Sequence, residues 1–398
     1  MNKIMVNSEK TTQKKKRIGI VTMYYNSTNY GGLLQAYSLT MYLNNHGYDA
    51  KQIVYDFYAD GENLTAPPRT KKQKAIIGIK RKVKGTLLKI EGTIHGIGNL
   101  QKKRHQICKQ FTESIPHTDK VYKLSELKET INDFDIFITG SDQVWNPASF
   151  HQGFFLSFVD GNKKKKMSYA ASLSNYLPED RASIYKDALR DFDVISVREK
   201  SDIEILKRLS DKPVKWVLDP VFLLEKEEWN KQCSFPLRKY KKPYLFCYFL
   251  GDSIKQRKLV EEYGKKKKLK VVTIPYMQMT YRTCDKNFGD IRLTDVSPNG
   301  FLGLIHEADV VFTDSFHATA FSIIFNKNFI VFNREGHTEM AERIKTVTDL
   351  FGCSDRFLED DYNNIKQIIE VLDDANETEY QSSKFKNVLN ESEEILRF

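Results

Sequence analysis

Short apolar runs alternate with stretches of helical periodicity along almost the whole chain. Arg17-Ile-Gly-Ile-Val-Thr-Met23 has the pattern of a buried strand and leads into the polar turn Asn26-Ser-Thr-Asn-Tyr-Gly-Gly-Leu33. From Leu34 to His46 apolar residues recur at helical spacing, and Gly47 supplies a helix stop. Gly47 to Tyr55 is the next strand, which completes a strand–helix–strand unit. Such a unit predicts a parallel sheet with ligands at the strand C-termini. Further strands are predicted at Phe134–Thr139, Lys166–Ala170, Val194–Val197 and Val214–Val217, with helices between them. The stretch Lys212 to Leu224, which contains Asp219-Pro220, reads as the crossing between domains. A second set then alternates: strands Tyr244–Phe249, Lys270–Ile274, Val310–Thr313 and Phe329–Phe332, helices Ser253–Tyr263, Pro298–Glu307 and Phe316–Phe325. The pattern predicts an α/β fold of two similar halves facing one cleft. The expected boundaries are 17–215 and 216–361, with terminal helices over 362–398.

Composition narrows this picture without changing it. At 398 residues, 40% hydrophobic and 29% charged, the chain is neither collagen-like nor disordered, and it exceeds the usual size of one core. Its five cysteines (108, 233, 247, 284, 353) lie far apart with no C-x-x-C pair, so neither a thiolate zinc site nor a disulfide framework is expected. No apolar run approaches the roughly 18–20 residues that span a bilayer. The polar N-terminus lacks the apolar core of a signal peptide, so a cytoplasmic location is expected.

Charge is unevenly placed. Of the net +10, residues 69 to 104 carry twelve Lys/Arg against a single acid, Glu91. Ile76, Ile77, Ile79, Val83, Leu87, Leu88 and Ile90 fall between these charges at roughly helical spacing. Two readings stand: a basic amphipathic helix in peripheral contact with an anionic membrane surface, or a solvated helix packed on its own domain. Nucleic acid is not an expected partner, because nothing else in the chain resembles a reading head.

Several motifs then occur in order. They are Asn29-Tyr-Gly-Gly-Leu-Leu-Gln35, Phe134-Asp-Ile-Phe-Ile-Thr-Gly-Ser-Asp-Gln-Val-Trp-Asn-Pro147 and Ser168-Tyr-Ala-Ala-Ser172. Ile195-Ser-Val-Arg-Glu199, Leu218-Asp-Pro220 and Thr313-Asp-Ser-Phe-His-Ala-Thr-Ala-Phe-Ser322 follow. Their order and spacing resemble the polysaccharide pyruvyl transferase family over about residues 17 to 360. The resemblance implies two Rossmann-like domains of the glycosyltransferase-B type, an acceptor-side N-terminal one and a donor-side C-terminal one. It further implies transfer of a pyruvyl group from phosphoenolpyruvate to a sugar hydroxyl pair as a ketal, in cell-surface polysaccharide biosynthesis.

The residues suit that chemistry in part. Paired glycines in Asn29-Tyr30-Gly31-Gly32, between strand and helix, let a backbone approach a ligand, although a plain tight turn explains them too. Ser141, Asp142, Gln143 and Trp145 put hydrogen-bonding groups beside an aromatic face, as a sugar acceptor needs; helix capping by Ser141 or Asp142 is the plainer account. His151, just downstream, is a further acceptor candidate or a solvated loop residue. Arg198, at a strand end, suits bidentate binding of carboxylate or phosphate, or an ion pair with Glu199 or Asp202. Asp219 reads as an interdomain structural residue. Ser315 as N-cap would present a positive helix end to an anion, with His317 in the first turn as phosphate ligand or acid. Many relatives in the resembled family carry Arg where this chain has Ser315, so the missing charge is expected from Arg334, Arg343 or Arg282. Asp142 is the candidate base for the acceptor. No metal is expected, and no cofactor beyond phosphoenolpyruvate as donor substrate; the acceptor partner is a glycan or lipid-linked sugar. Two alternatives remain open at this point, a glycosyltransferase using a nucleotide sugar and a non-catalytic membrane-surface assembly partner.

Overall fold

The computed structural model describes residues 15–59, 97–161, 163–240, 242–278, 282–334, 338–359, 364–374 and 382–398. Most of the basic segment, residues 69–96, and the N-terminal tail up to residue 14 lie outside them. In the N-terminal half, β1 (Arg17–Val21) runs through the turn to α1 (Tyr30–Asn45) and β2 (Asp49–Gln52). After α2 (Ile97–Thr112) come β3 (Ile136–Thr139) and β4 (Lys165–Ser168). These strands form a sheet of order β2-β1-β3-β4. Beyond it, α3 (Ala182–Leu189), β5 (Ile195–Val197), α4 (Lys200–Lys207) and β6 (Val214–Trp216) follow. Parallel bridges Met167–Val194 and Ala171–Val197 tie β5 to the edge at β4.

The second half opens with α5 (Lys226–Gln232), β7 (Tyr244–Tyr248), α6 (Ile254–Lys267), β8 (Lys270–Thr273) and β9 (Ile291–Arg292). It continues through α7 (Pro298–Glu307), β10 (Val310–Thr313), α8 (Phe316–Ile324), β11 (Asn328–Phe332), α9 (Thr338–Leu350) and β12 (Phe357–Leu358). Its sheet has the order β12-β11-β10-β7-β8-β9. Every strand pair among the described residues is parallel. A central parallel strand is covered on both faces, which is why β3 and β10 read as unbroken apolar runs, buried at all positions.

The halves share one core. Leu33, Leu34 and Leu39 of α1 belong to the same buried cluster as Val221, Phe301 and Phe321 of the second half. The Tyr30 ring stacks on Phe301 at 4.9 Å and its hydroxyl donates to the Val296 carbonyl at 2.7 Å. The terminal helices divide. α10 (Ile365–Asp373) packs Ile368 and Leu372 onto the second sheet's cluster, whereas α11 (Ser383–Glu394) returns to the first half. The Leu218 amide donates to Ser392 Oγ at 3.0 Å, and the Phe398 amide donates to the Tyr48 hydroxyl at 2.9 Å. No helix among the described residues is long and apolar enough to cross a membrane.

Candidate functional site

The start of α1 and the start of α8 meet across the cleft. Asn29 caps α1, its side chain accepting from the Gly31 amide at 3.2 Å. A Cβ at Gly31 would lie 2.0 Å from Nδ1 of His317 and 2.4 Å from its Cγ. A Cβ at Gly32 would lie 3.1 Å from Oδ2 of Asp142. The paired glycines therefore admit two side chains of the same protein, one from each half, rather than leaving a backbone open to a ligand. Tyr30 between them is buried in the contact between halves, so its assignment to the acceptor is corrected to packing.

The loop that follows β10 is built around Asp314. Its two carboxylate oxygens accept from the amides of Leu250 (2.7 Å) and Gly251 (2.6 Å), which pins the end of β7 beside the end of β10. Arg334 donates to the Asp314 carbonyl at 3.0 Å and lies 3.5 Å from its carboxylate. Arg282 donates to the Leu250 carbonyl. Ser315 is the N-cap of α8, yet its side chain makes no capping hydrogen bond; its amide donates to Thr313 Oγ1 at 3.0 Å. His317 follows on the first turn.

Arg198 links the halves electrostatically. It lies at the end of β5 and is almost wholly buried. Its Nε donates to Glu199 at 3.1 Å, one Nη donates to Asp219 at 2.7 Å, and the other lies 3.7 Å from Asp142. That second Nη, Nε2 of His317 and Nε of Arg334 are buried without a hydrogen-bond partner among the described residues. Asp219 has no exposed side-chain surface; His317 Nε2 lies 3.6 Å from the oxygen that Arg198 holds. Burial pushes the Asp219 pKa up, but His317 and Arg198 outweigh it and hold the carboxyl well below the usual carboxylate range. Burial likewise works against the Arg198 charge, and Glu199, Asp219 and Asp142 overcome it to raise its pKa. Arg343 of α9 sits 3.9 Å from Glu199; burial first, then the like charge of Arg198, pushes its pKa down to about 10. The Phe316 ring lies 5.1 Å from the Arg198 guanidinium and 6.0 Å from that of Arg343. Arg198, Asp219, Phe316 and Arg343 also line, with Trp216 and Leu350, a cavity of about 20 Å³, room for about one water.

Of the predicted residues, the fold gathers Asn29, Gly31, Gly32, Asp142, Arg198 and His317, with Ser315, Arg334 and Arg343 around them. Besides Tyr30, three acceptor assignments are corrected. Trp145 is fully buried, stacked on Phe155 at 5.5 Å with its indole donating to the Phe154 carbonyl, so it offers no face to a sugar. Ser141 is likewise inaccessible: its hydroxyl donates to the Ala170 carbonyl and its amide to Gln35. His151 packs edge-on against Phe57 at 5.0 Å and is buried. Gln143 and Asn146 are half-buried and both donate to Ser174 Oγ. Asp219 does more than cap: one oxygen accepts from the Val221 amide while the other holds Arg198. The only sequence signal for this dual role was an Asp before a Pro at the interdomain crossing, and Asp314 carried none beyond its neighbours.

The family model for polysaccharide pyruvyl transferases matches residues 29–336. No curated protein matches the chain. Among solved structures, UDP-N-acetylglucosamine 2-epimerase from Methanocaldococcus jannaschii is 10% identical with a TM-score of 0.52, over 96% of this chain and 99% of that one. The Rickettsia bellii epimerase is 13% identical with a TM-score of 0.50, over 97% and 96%. A putative UDP-N-acetylglucosamine 2-epimerase from Listeria monocytogenes is 11% identical with a TM-score of 0.50, over 94% and 91%. At such identities the likeness is one of fold, two Rossmann-like domains facing a cleft in the glycosyltransferase-B manner. The matched residues run from the Asn29 cap past His317 and Arg334, and the chain belongs to the polysaccharide pyruvyl transferase family, a family of transferases.

Proposed function

We propose that the protein transfers the pyruvyl group of phosphoenolpyruvate to two hydroxyls of a sugar acceptor as a cyclic ketal, during cell-surface polysaccharide synthesis. One observation carries this reading: an Nη of Arg198 and the Nε of Arg334 are buried without a hydrogen-bond partner among the described residues, in the charged cluster where His317 faces Asp219. Donors held there without a partner suit the carboxylate and phosphate of the donor molecule. Arg198, Arg334 and Arg343 bind the anion, and His317, oriented by Asp219, binds phosphate or supplies a proton. Asp142 takes the proton of the attacking hydroxyl. The acceptor oxygen adds to C2 as C3 is protonated, the C2–O bond to phosphate breaks, and the second hydroxyl closes the ring. Of the two acceptor protons, one ends on C3 and the other leaves with phosphate. The reaction is placed in the cytoplasm, where the basic segment would meet an anionic membrane carrying lipid-linked acceptors.

The test is phosphate release from phosphoenolpyruvate in the presence of candidate lipid-linked glycans. His317→Gln and Asp142→Asn are expected to lower turnover by about 10²-fold or more with an unchanged melting temperature. Turnover within threefold of wild type in both variants sinks the site assignment. Turnover of a nucleotide sugar in place of phosphoenolpyruvate overturns the reaction.

A further inference from the structure

The loop that delivers Asn29 to the cleft has a second face. Tyr24, Tyr25 and Ser27 of this loop, with His105 and Thr112 of α2 and His117 beyond it, line a pocket of about 190 Å³. The size suits one pyranose ring rather than an oligosaccharide. The phenol hydroxyl of Tyr24 is buried and has no hydrogen-bond partner among the described residues, although most buried hydroxyls in proteins are satisfied. His117 Nδ1 lies 2.9 Å from the Thr118 carbonyl and must donate there; in the neutral imidazole this leaves Nε2 as an acceptor. Lys109, on the same wall, lies 3.8 Å from Glu113, so the lining holds no excess positive charge that would select phosphate. Tyrosine rings beside hydroxyls and an imidazole acceptor are the mixture that a sugar needs, apolar faces for its C–H groups and polar groups for its hydroxyls.

The pocket is also mechanically joined to the site. Arg104 of α2 donates to the Thr28 carbonyl at 3.1 Å and lies 4.2 Å over the Tyr30 ring. Ser27 Oγ accepts from the Asn29 amide at 3.2 Å. Helix α2 thus fixes one loop whose residues 24–27 line the pocket and whose end caps the helix touching His317.

We propose that this pocket binds one ring of the glycan acceptor, next to the sugar that receives the pyruvyl group; the inference rests on the acceptor being a glycan. The experiment uses the full chain with galactose, glucose, mannose and N-acetylglucosamine as separate probes at millimolar concentration, read by ligand-observed NMR. Wild type is expected to bind at least one of these sugars. Thr112→Trp, which fills the pocket, and His117→Ala, which removes the acceptor, are expected to abolish that binding at an unchanged melting temperature. In the glycan assay both variants are expected to raise the acceptor KM by about tenfold, with kcat and the phosphoenolpyruvate KM retained. Failure to bind any of the four sugars, or binding that survives Thr112→Trp, overturns the subsite. Phosphate release with an acceptor KM that ignores both variants overturns it too while leaving the reaction standing. Sugar binding that Thr112→Trp abolishes, in a protein that never turns over phosphoenolpyruvate, supports the subsite and fails the reaction.

Discussion

A methyl group at position 31 would share space with the His317 imidazole, only 2.0 Å from Nδ1. Neither the start of α1 nor that of α8 can retreat freely, because each is buried in the shared core. Gly31→Ala is therefore expected to cost about 1–3 kcal/mol of unfolding free energy. His317→Ala in the same chain should restore most of it, and the double-mutant cycle measures the coupling. Additive effects would show that the two starts do not press on each other. Arg198 calls for a different substitution. Arg198→Ala would leave the buried Asp219 with His317 alone and the buried Glu199 with only Arg343 at 3.9 Å, a loss of about 3–5 kcal/mol, so its inactivity would report unfolding. Arg198→Lys keeps the charge but not the fork, and is expected to stay folded while losing turnover. Full activity in the Lys variant would show that the one unpartnered Nη of Arg198 is not needed for turnover. Sequence reading selected Gly31, Arg198 and His317 by type and position; that Gly31 serves His317 depends on two segments 286 residues apart, a distance no local pattern spans.

At the scale of elements, residues 140–146 look like a ligand loop in sequence, and the fold divides them: Ser141, Val144 and Trp145 enter the core while Asp142, Gln143 and Asn146 stay half-buried. Trp145→Ala is expected to cost about 3–5 kcal/mol of stability through the cavity it leaves. A selective rise in acceptor KM at an unchanged melting temperature would contradict this. The start of α4 gives a pH test. Asp202 accepts from the amides of Leu173 (2.8 Å) and Asn175 (3.0 Å), and burial together with the Glu199 charge pushes its pKa up to about 8. A carboxyl with a raised folded pKa contributes stability that is whole below the ordinary carboxylate range and lost as pH climbs towards that value. The melting temperature of wild type relative to Asp202→Asn is therefore expected to fall between about pH 5 and 8. A difference that stays flat or rises across this window would refute the assignment.

For the whole molecule, α11 is the strap between halves, though the family match ends at residue 336. Its Phe385 packs on Phe222 and Phe351, and Lys165 lies 4.8 Å over the Phe398 ring. Removing residues 383–398 would bare buried Phe385, Ile395 and Leu396 partners in both halves. The truncated chain is expected to melt several degrees lower and to lose turnover, without any catalytic residue removed. An unchanged melting temperature would show that the strap is dispensable.

The alternation of apolar runs and helical periods was enough to set two parallel α/β halves, because strand burial and helix amphipathy are written into neighbouring residues. The places of Asp142 and Arg198 just after strands, and of His317 in the first turn of a helix, were legible too. What the linear chain could not express is who faces whom. Trp145 and His151 look like surface recognition groups until aromatic neighbours close over them. Asp219 becomes a partner of Arg198 and His317 only when β5, the interdomain crossing and α8 converge. Burial and pairing are properties of long-range packing, and they alone decided which polar side chains stay available for a substrate.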